Sequence, residues 1–143
     1  MEIRNYNLSD ESQVIDLWVK CDLARPWNDP KKDIERKLKI DPDLFLVGVL
    51  NSKIIGTVMG GYEGHRGWIN YLAIDPSQQR KGYGKIMMKE IEEKLKAKGA
   101  PKINIQIRST NKFVINFYKS INYRIDDVIS MGKRLIEDER YRK

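Results

Sequence analysis

The chain has 143 residues, of which 41% are apolar and 33% charged, and its formal charge is +7. That length suits one domain with one core, expected over residues 1–143. The apolar share excludes a disordered chain, and no apolar run approaches the roughly 20 residues needed to span a bilayer. The charge favours an anionic partner, whether nucleic acid, a membrane surface or a phosphate-bearing cofactor, and does not choose among them.

The opening "MEIRNYNLSDES" lacks the basic-then-apolar pattern of a signal peptide. "EIRNY" reads as a short strand, and Ser9 is placed to cap the helix after it. In that helix Val14, Leu17, Trp18 and Cys21 fall at i, i+3, i+4 and i+7, one helical face. Cys21 is the only cysteine, which excludes an intramolecular disulfide and suits a reducing cytosol. "LARPWND" breaks the helix. Asp29 then caps a second one with Pro30 at its first position, where a missing N–H costs nothing, and Ile34 and Leu38 form its apolar stripe.

"LFLVGVL" (Leu44 to Leu50) reads as a buried strand. Asn51-Ser52-Lys53 is a tight turn, "IIGTVMGGY" a second strand, "EGHRG" a loop and "WINYLAI" a third strand, together an antiparallel meander. Asp75-Pro76 ends it, because Pro76 removes a ladder donor. A long helix is expected from about Gly82 to Lys98, with Gly84, Met88, Ile91 and Leu95 on one face and Met87 beside them. Gly99 stops it and Pro101 follows. "KINIQIR" alternates as a strand. "NKFVINFYKSI" is an amphipathic helix, with Phe113 and Phe117, and Val114 and Tyr118, each four apart; Asn122 is its left-handed stop. "YRID" and "VISMGKRL" read as two last strands, and the tail "IEDERYRK" carries no signal. The order is β-α-α-β-β-β-α-β-α-β-β, an α/β fold with a mixed sheet. The unit from Trp68 to Arg108 should be a right-handed parallel crossover.

"QQRKGYGKIMMKE" (Gln78 to Glu90) lies between a strand end and a helix start, where backbone N–H groups lack intrahelical partners and the dipole is positive. An anion is stabilised there. Gly82 and Gly84 allow close backbone approach, and Arg80, Lys81 and Lys85 add charge, so a pyrophosphate fits. A dinucleotide fingerprint would need a third glycine where Met87 stands, and the P-loop pattern is absent. On spacing alone, a helix entry with two convenient glycines explains the stretch equally well.

Gln79-Arg80-Lys81-Gly82-Tyr83-Gly84 resembles the Q/R-x-x-G-x-G/A motif of the GCN5-related N-acetyltransferase (GNAT) superfamily. "YLAIDPSQQRKGYG" is similar to that family's strand and pyrophosphate loop, and "NKFVINFYKSINY" to its later N-x-x-A-x-x-F-Y-x-x-x-G-F segment. "CDLARPWNDP", "GTVMGGYEGHRG" and "GKRLIEDE" look like its small bacterial YpeA-like branch. The resemblance covers essentially the whole chain. It implies a mostly antiparallel sheet of about seven strands with about four helices, and acetyl transfer from acetyl-CoA to an amine, with no metal. By position, Leu72, Ala73 and Ile74 match the strand that pairs with pantetheine, one amide there facing the thioester oxygen. Arg80, Lys81, Gly82, Tyr83, Gly84 and Lys85 match the pyrophosphate binders, and Gln79 the position that holds the loop. Asn111 matches an asparagine near the pantetheine arm, and Tyr118 the tyrosine beside the sulfur.

Tyr118, with a reference pKa near 10, keeps its proton at neutral pH and suits a general acid for the leaving thiolate; packing alone also explains its spacing. Some protein-acetylating relatives place a glutamate where this chain has Gln106, which takes no proton. Glu63 and His65 are substitutes by residue type, and a water relay or an amine arriving neutral needs neither. Arg25, Trp27 and Asn28 lie in the segment that borders the acceptor site in the resembling family, and also suit a plain helix connection. The expected acceptor is a small-molecule amine, a protein N-terminus or a lysine, and the expected state a monomer or homodimer. Nucleic acid and membrane are not expected partners, since no reading motif or span is present. A CoA-binding regulator or inactive remnant on the same fold is the alternative.

Overall fold

A computed structural model describes residues 1–138. Strand β1 (Glu2–Asn5) leads through a 3-10 turn into α1 (Glu11–Lys20), followed by α2 (Pro30–Lys39). Then come β2 (Phe45–Leu50), β3 (Lys53–Tyr62), β4 (Gly67–Ile74), α3 (Tyr83–Ala97), β5 (Ile103–Asn104) and α4 (Lys112–Ser120). The sheet order is β1-β2-β3-β4-β5. All pairs are antiparallel except β4 with β5, the parallel junction expected for the crossover.

Two side-chain layers explain why the sheet holds. Alternation in β2 sends Phe45 and Val47 to one face, under α1 and α2 with Val14, Leu17, Trp18 and Ile34. It sends Leu46 to the other, under α3 and α4 with Met87, Met88, Ile91, Leu95 and Tyr118. The expected faces of α1 and α3 are therefore the buried ones. The β2–β3 turn puts Asn51 and Ser52 at φ 51° and 63°, the twist a two-residue hairpin demands. Asp29 caps α2, accepting from the N–H groups of Lys31 and Lys32. Asn122 ends α4 at φ 76°.

Four expectations need correction. The sheet has five strands among the described residues, not about seven. "KINIQIR" pairs only at Ile103 and Asn104, opposite Gly67 and Trp68. "YRID" and "VISMGKRL" adopt no strand; after the half-buried Tyr123 they run exposed, tied by Lys102 to Asp126 at 2.6 Å and by Gln106 to Ser130, and Arg36 holds Asp138 beyond them. Their alternation marks a surface suited to a sheet, but a strand also needs a partner ladder. Ser9 lies within the 3-10 turn and does not cap α1. Asp10 fixes that entry instead, accepting the Asn7 N–H at 2.8 Å and both guanidinium nitrogens of Arg4 at 2.7 and 2.9 Å. The tail "IEDERYRK" lies mostly outside the described residues.

Candidate active site

The site is built around an irregularity in β4. Thr57 faces Ala73, but Met59 faces Asn70, so β4 carries one extra residue there, a β-bulge. Tyr71 sits in it at φ 52°, a conformation costly for a non-glycine residue unless its surroundings enforce it. They do. The Trp18 ring stacks on Tyr71 with centroids 3.8 Å apart. Trp18 Nε1 donates to the Thr57 hydroxyl at 2.9 Å, and that hydroxyl donates to the Tyr71 carbonyl at 2.8 Å. The Tyr71 phenol donates to Asp33 at 2.5 Å and accepts from Asn28 at 2.6 Å. Burial, then the Asp33 carboxylate, pushes its pKa up. Sequence reasoning missed this cluster: Trp18 reads as one more core residue, and no spacing rule marks a bulge.

Beyond Trp68 and Asn104, β4 and the chain of Ile105–Arg108 pair no further. The parting leaves the edge of β4 at Leu72–Ile74 without a strand partner on that side. Leu72 and Ile74 on one side and Ile105 and Ile107 on the other pack against the core cluster that holds Tyr118. Ala73 points to the opposite layer. The Ile74 carbonyl is occupied, accepting from Cys21 Sγ at 3.4 Å and from Gln79 Nε2 at 3.1 Å. Gln79 thus braces the loop against the end of β4.

The glycine loop follows the C-terminal end of that parted edge. Arg80 and Gly82 are both left-handed, at φ 64° and 85°. A Cβ at Gly82 would meet nothing within 4 Å, so backbone conformation, not crowding, calls for glycine there. A Cβ at Gly84 would lie 3.1 Å from the Phe117 ring and 3.8 Å from Ile74, so Gly84 lets α3, α4 and β4 meet. No side chain caps α3 and no acidic residue stands in its first turn, whereas Asp29 caps α2 and Asn111 caps α4. The first N–H groups of α3, at Tyr83, Gly84 and Lys85, are left for an external anion. Arg80, Lys81 and Lys85 form no ion pair among the described residues; Lys81 donates to Gln78 Oε1 at 3.0 Å. A pyrophosphate-bearing group fits this donor set.

Tyr118 is 5% exposed. Its ring meets Phe117 and Tyr123 edge-on, with centroids at 5.1 and 5.4 Å. Burial pushes the phenol pKa well above its ordinary value, so the hydroxyl is a proton donor across the neutral range. Asn111 accepts the Val114 N–H at 3.2 Å; it holds the start of α4.

Not every expected residue gathers here. Glu63 accepts the N–H groups of His65 and Arg66, so it shapes the β3–β4 turn. Tyr62 ties this turn to Gly99, at the far end of α3. The eight residues of β4 separate that turn from the glycine loop by roughly 23 Å at about 3.3 Å per residue. Glu63 and His65 therefore lie away from the loop. Gln106 is exposed and bonded to Ser130. On the other side, Asn28 accepts the Arg25 N–H at 2.8 Å and donates to Leu23 and Tyr71. Trp27 is 45% exposed and carries Arg108 over its ring at 4.3 Å and Arg25 at 5.8 Å. Arg108 was no candidate from sequence, where it only ends an alternating stretch.

Residues 12–123 match the model of the Acetyltransferase (GNAT) family. The chain belongs to the GNAT family. An acetyltransferase of Yersinia pestis (strain Pestoides F) is 50% identical over 141 residues, 99% of this chain and 100% of that one. One from Sodalis glossinidius is 49% identical over 142 residues, with the same coverage. Among solved structures, PaiA N-acetyltransferase from Thermoplasma acidophilum, in complex with coenzyme A, aligns with TM-score 0.69 and 18% identity over 90% of this chain and 92% of that one. The last likeness shows the fold. The chain is thus a GNAT acetyltransferase, a member of an acetyl-CoA-dependent enzyme family.

Proposed function

We propose that this enzyme transfers an acetyl group from acetyl-CoA to a primary amine by direct attack, with Tyr118 as the general acid. Acetyl-CoA supplies an activated acyl thioester. The N–H groups of Tyr83, Gly84 and Lys85, with Arg80 and Lys81 around them, hold its pyrophosphate. The freed edge of β4 at Leu72–Ile74 receives the pantetheine arm, and one amide there faces the oxygen on which negative charge develops. The carbonyl of Ile74, already occupied by Cys21 and Gln79, takes no part in that pairing. Tyr118 Oη gives its proton to the departing sulfur. Asn111 keeps α4, and so Tyr118, in place. No dedicated base is assigned: Gln106 takes no proton, Glu63 and His65 lie at the far end of α3, and an amine that arrives neutral attacks directly, its nitrogen then shedding one proton to solvent, from which the Tyr118 phenol is reprotonated.

The observation that carries this reading is a convergence. Among the described residues, the one α-helix of the four that starts with neither a side-chain cap nor an acidic first turn opens beside a parted strand edge, with a buried, proton-holding tyrosine in the same core cluster. The test is a screen of small amines, lysine-bearing peptides and peptide N-termini with acetyl-CoA, reading free thiol. Acceptor-dependent thiol release at least ten times the rate without amine is expected. Tight CoA binding with no release on any acceptor would favour a CoA-binding regulator instead.

A further inference from the structure

Resting on that reading, the side-chain cluster that runs from the Tyr71 bulge to Trp27 and Arg108 identifies the kind of amine accepted. Five polar groups belong to it, and four are committed. Asn28 spends both ends of its amide on Arg25, Leu23 and Tyr71. The Tyr71 phenol is held between Asn28 and Asp33. Asp33 also accepts from Arg36 at 3.2 Å. Arg25 is paired with Asp22 at 2.9 Å. Arg108 remains: it is exposed, forms no ion pair among the described residues, and rests over Trp27 with Cζ 4.3 Å from the ring centroid.

A guanidinium held against an aromatic face keeps its edge N–H groups for a partner in its own plane. The partner that matches two parallel N–H donors is a carboxylate. Arg108 is tied to both sides of the candidate site. Its carbonyl accepts the Asn111 N–H at 2.9 Å, at the start of the helix that carries Tyr118. Through Trp27 it reaches the segment that Asn28 ties to the β4 bulge. We infer that the acceptor is an amine that carries a carboxylate, and that Arg108, seated on Trp27, is the residue that selects it.

The test uses primary amines as acid and amide pairs: glycine and glycinamide, β-alanine and its amide, leucine and leucinamide, lysine and lysinamide. Aminoethyl phosphate is a separate arm. Turnover is measured with acetyl-CoA. In parallel, the N-acetylated acids and amides are titrated calorimetrically onto the CoA complex, which needs no chemistry. The wild-type protein should favour at least one acid over its amide by tenfold or more in kcat/KM, mainly through KM, and by a similar factor in product binding. Arg108→Gln should reduce that preference below threefold, and Arg108→Lys should restore part of it. Equal use of acids and amides, a preference that survives in Arg108→Gln, or aminoethyl phosphate preferred over every acid would overturn the inference and leave acetyl transfer standing. An acid preference in binding with no turnover on any amine would uphold the role of Arg108 and overturn the transferase reading.

Discussion

Asp10 shows how much one side chain sets. Its carboxylate is buried and takes three donors, from Arg4 and from the Asn7 backbone. The Arg4 hydrogen bonds hold its pKa below the ordinary carboxylate range, against the opposing effect of burial. A depressed folded-state pKa contributes stability that is present above the unfolded value, near 4, and lost as pH falls through the folded one. Asp10→Asn should cost about 2 kcal/mol at pH 7, reduced from a fully buried pair because the Arg4 side chain is 35% exposed. Urea melts should show the wild-type advantage shrinking as pH drops below about 4. An equal cost at pH 7 and pH 3 would remove the charge from this account of Asp10. Nothing in "NLSDES" distinguishes Ser9 from Asp10 as the anchoring residue; the choice depends on Arg4, which only the fold brings alongside.

At the scale of elements, Gly84 is decisive because it serves the junction of α3 and α4. Alanine in its place would gain up to about 1 kcal/mol of helix propensity. It would also press a methyl to 3.1 Å from Phe117, and overpacking of that kind costs about 1–3 kcal/mol. Gly84→Ala should therefore lower stability by about 1 kcal/mol net and weaken CoA binding. Gly84→Ala with Phe117→Leu should recover most of both, read by melts and calorimetric titration of CoA. The elements with strong periodicity were legible: α1 by Val14, Leu17 and Trp18, α3 by Met88, Ile91 and Leu95, and the β2–β4 meander by its branched residues and turns. "YRID" and "VISMGKRL" were not, because their alternation says nothing of whether a neighbouring strand is there to pair with. Of the site, the glycine loop and Tyr118 were legible as motif positions. The Tyr71 bulge and Arg108 depend on contacts between segments tens of residues apart, such as Trp18 with Thr57 and Trp27 with Arg108.

For the whole molecule, the parted sheet is the organising feature. One side layer, of α1 and α2, carries the Trp18–Thr57–Tyr71 cluster that enforces the bulge. The other, of α3 and α4, carries the uncapped helix start and Tyr118. Neither layer makes the site alone, so loss of chemistry should be separable from loss of donor binding. Steady-state kinetics of Tyr118→Phe beside calorimetric titration of CoA makes that separation most directly. Tyr118 as proton donor to sulfur predicts a fall in kcat of about 100-fold, with CoA affinity held within roughly twofold because the phenol makes no hydrogen bond to the helix start proposed to hold the pyrophosphate. An unchanged kcat would contradict it.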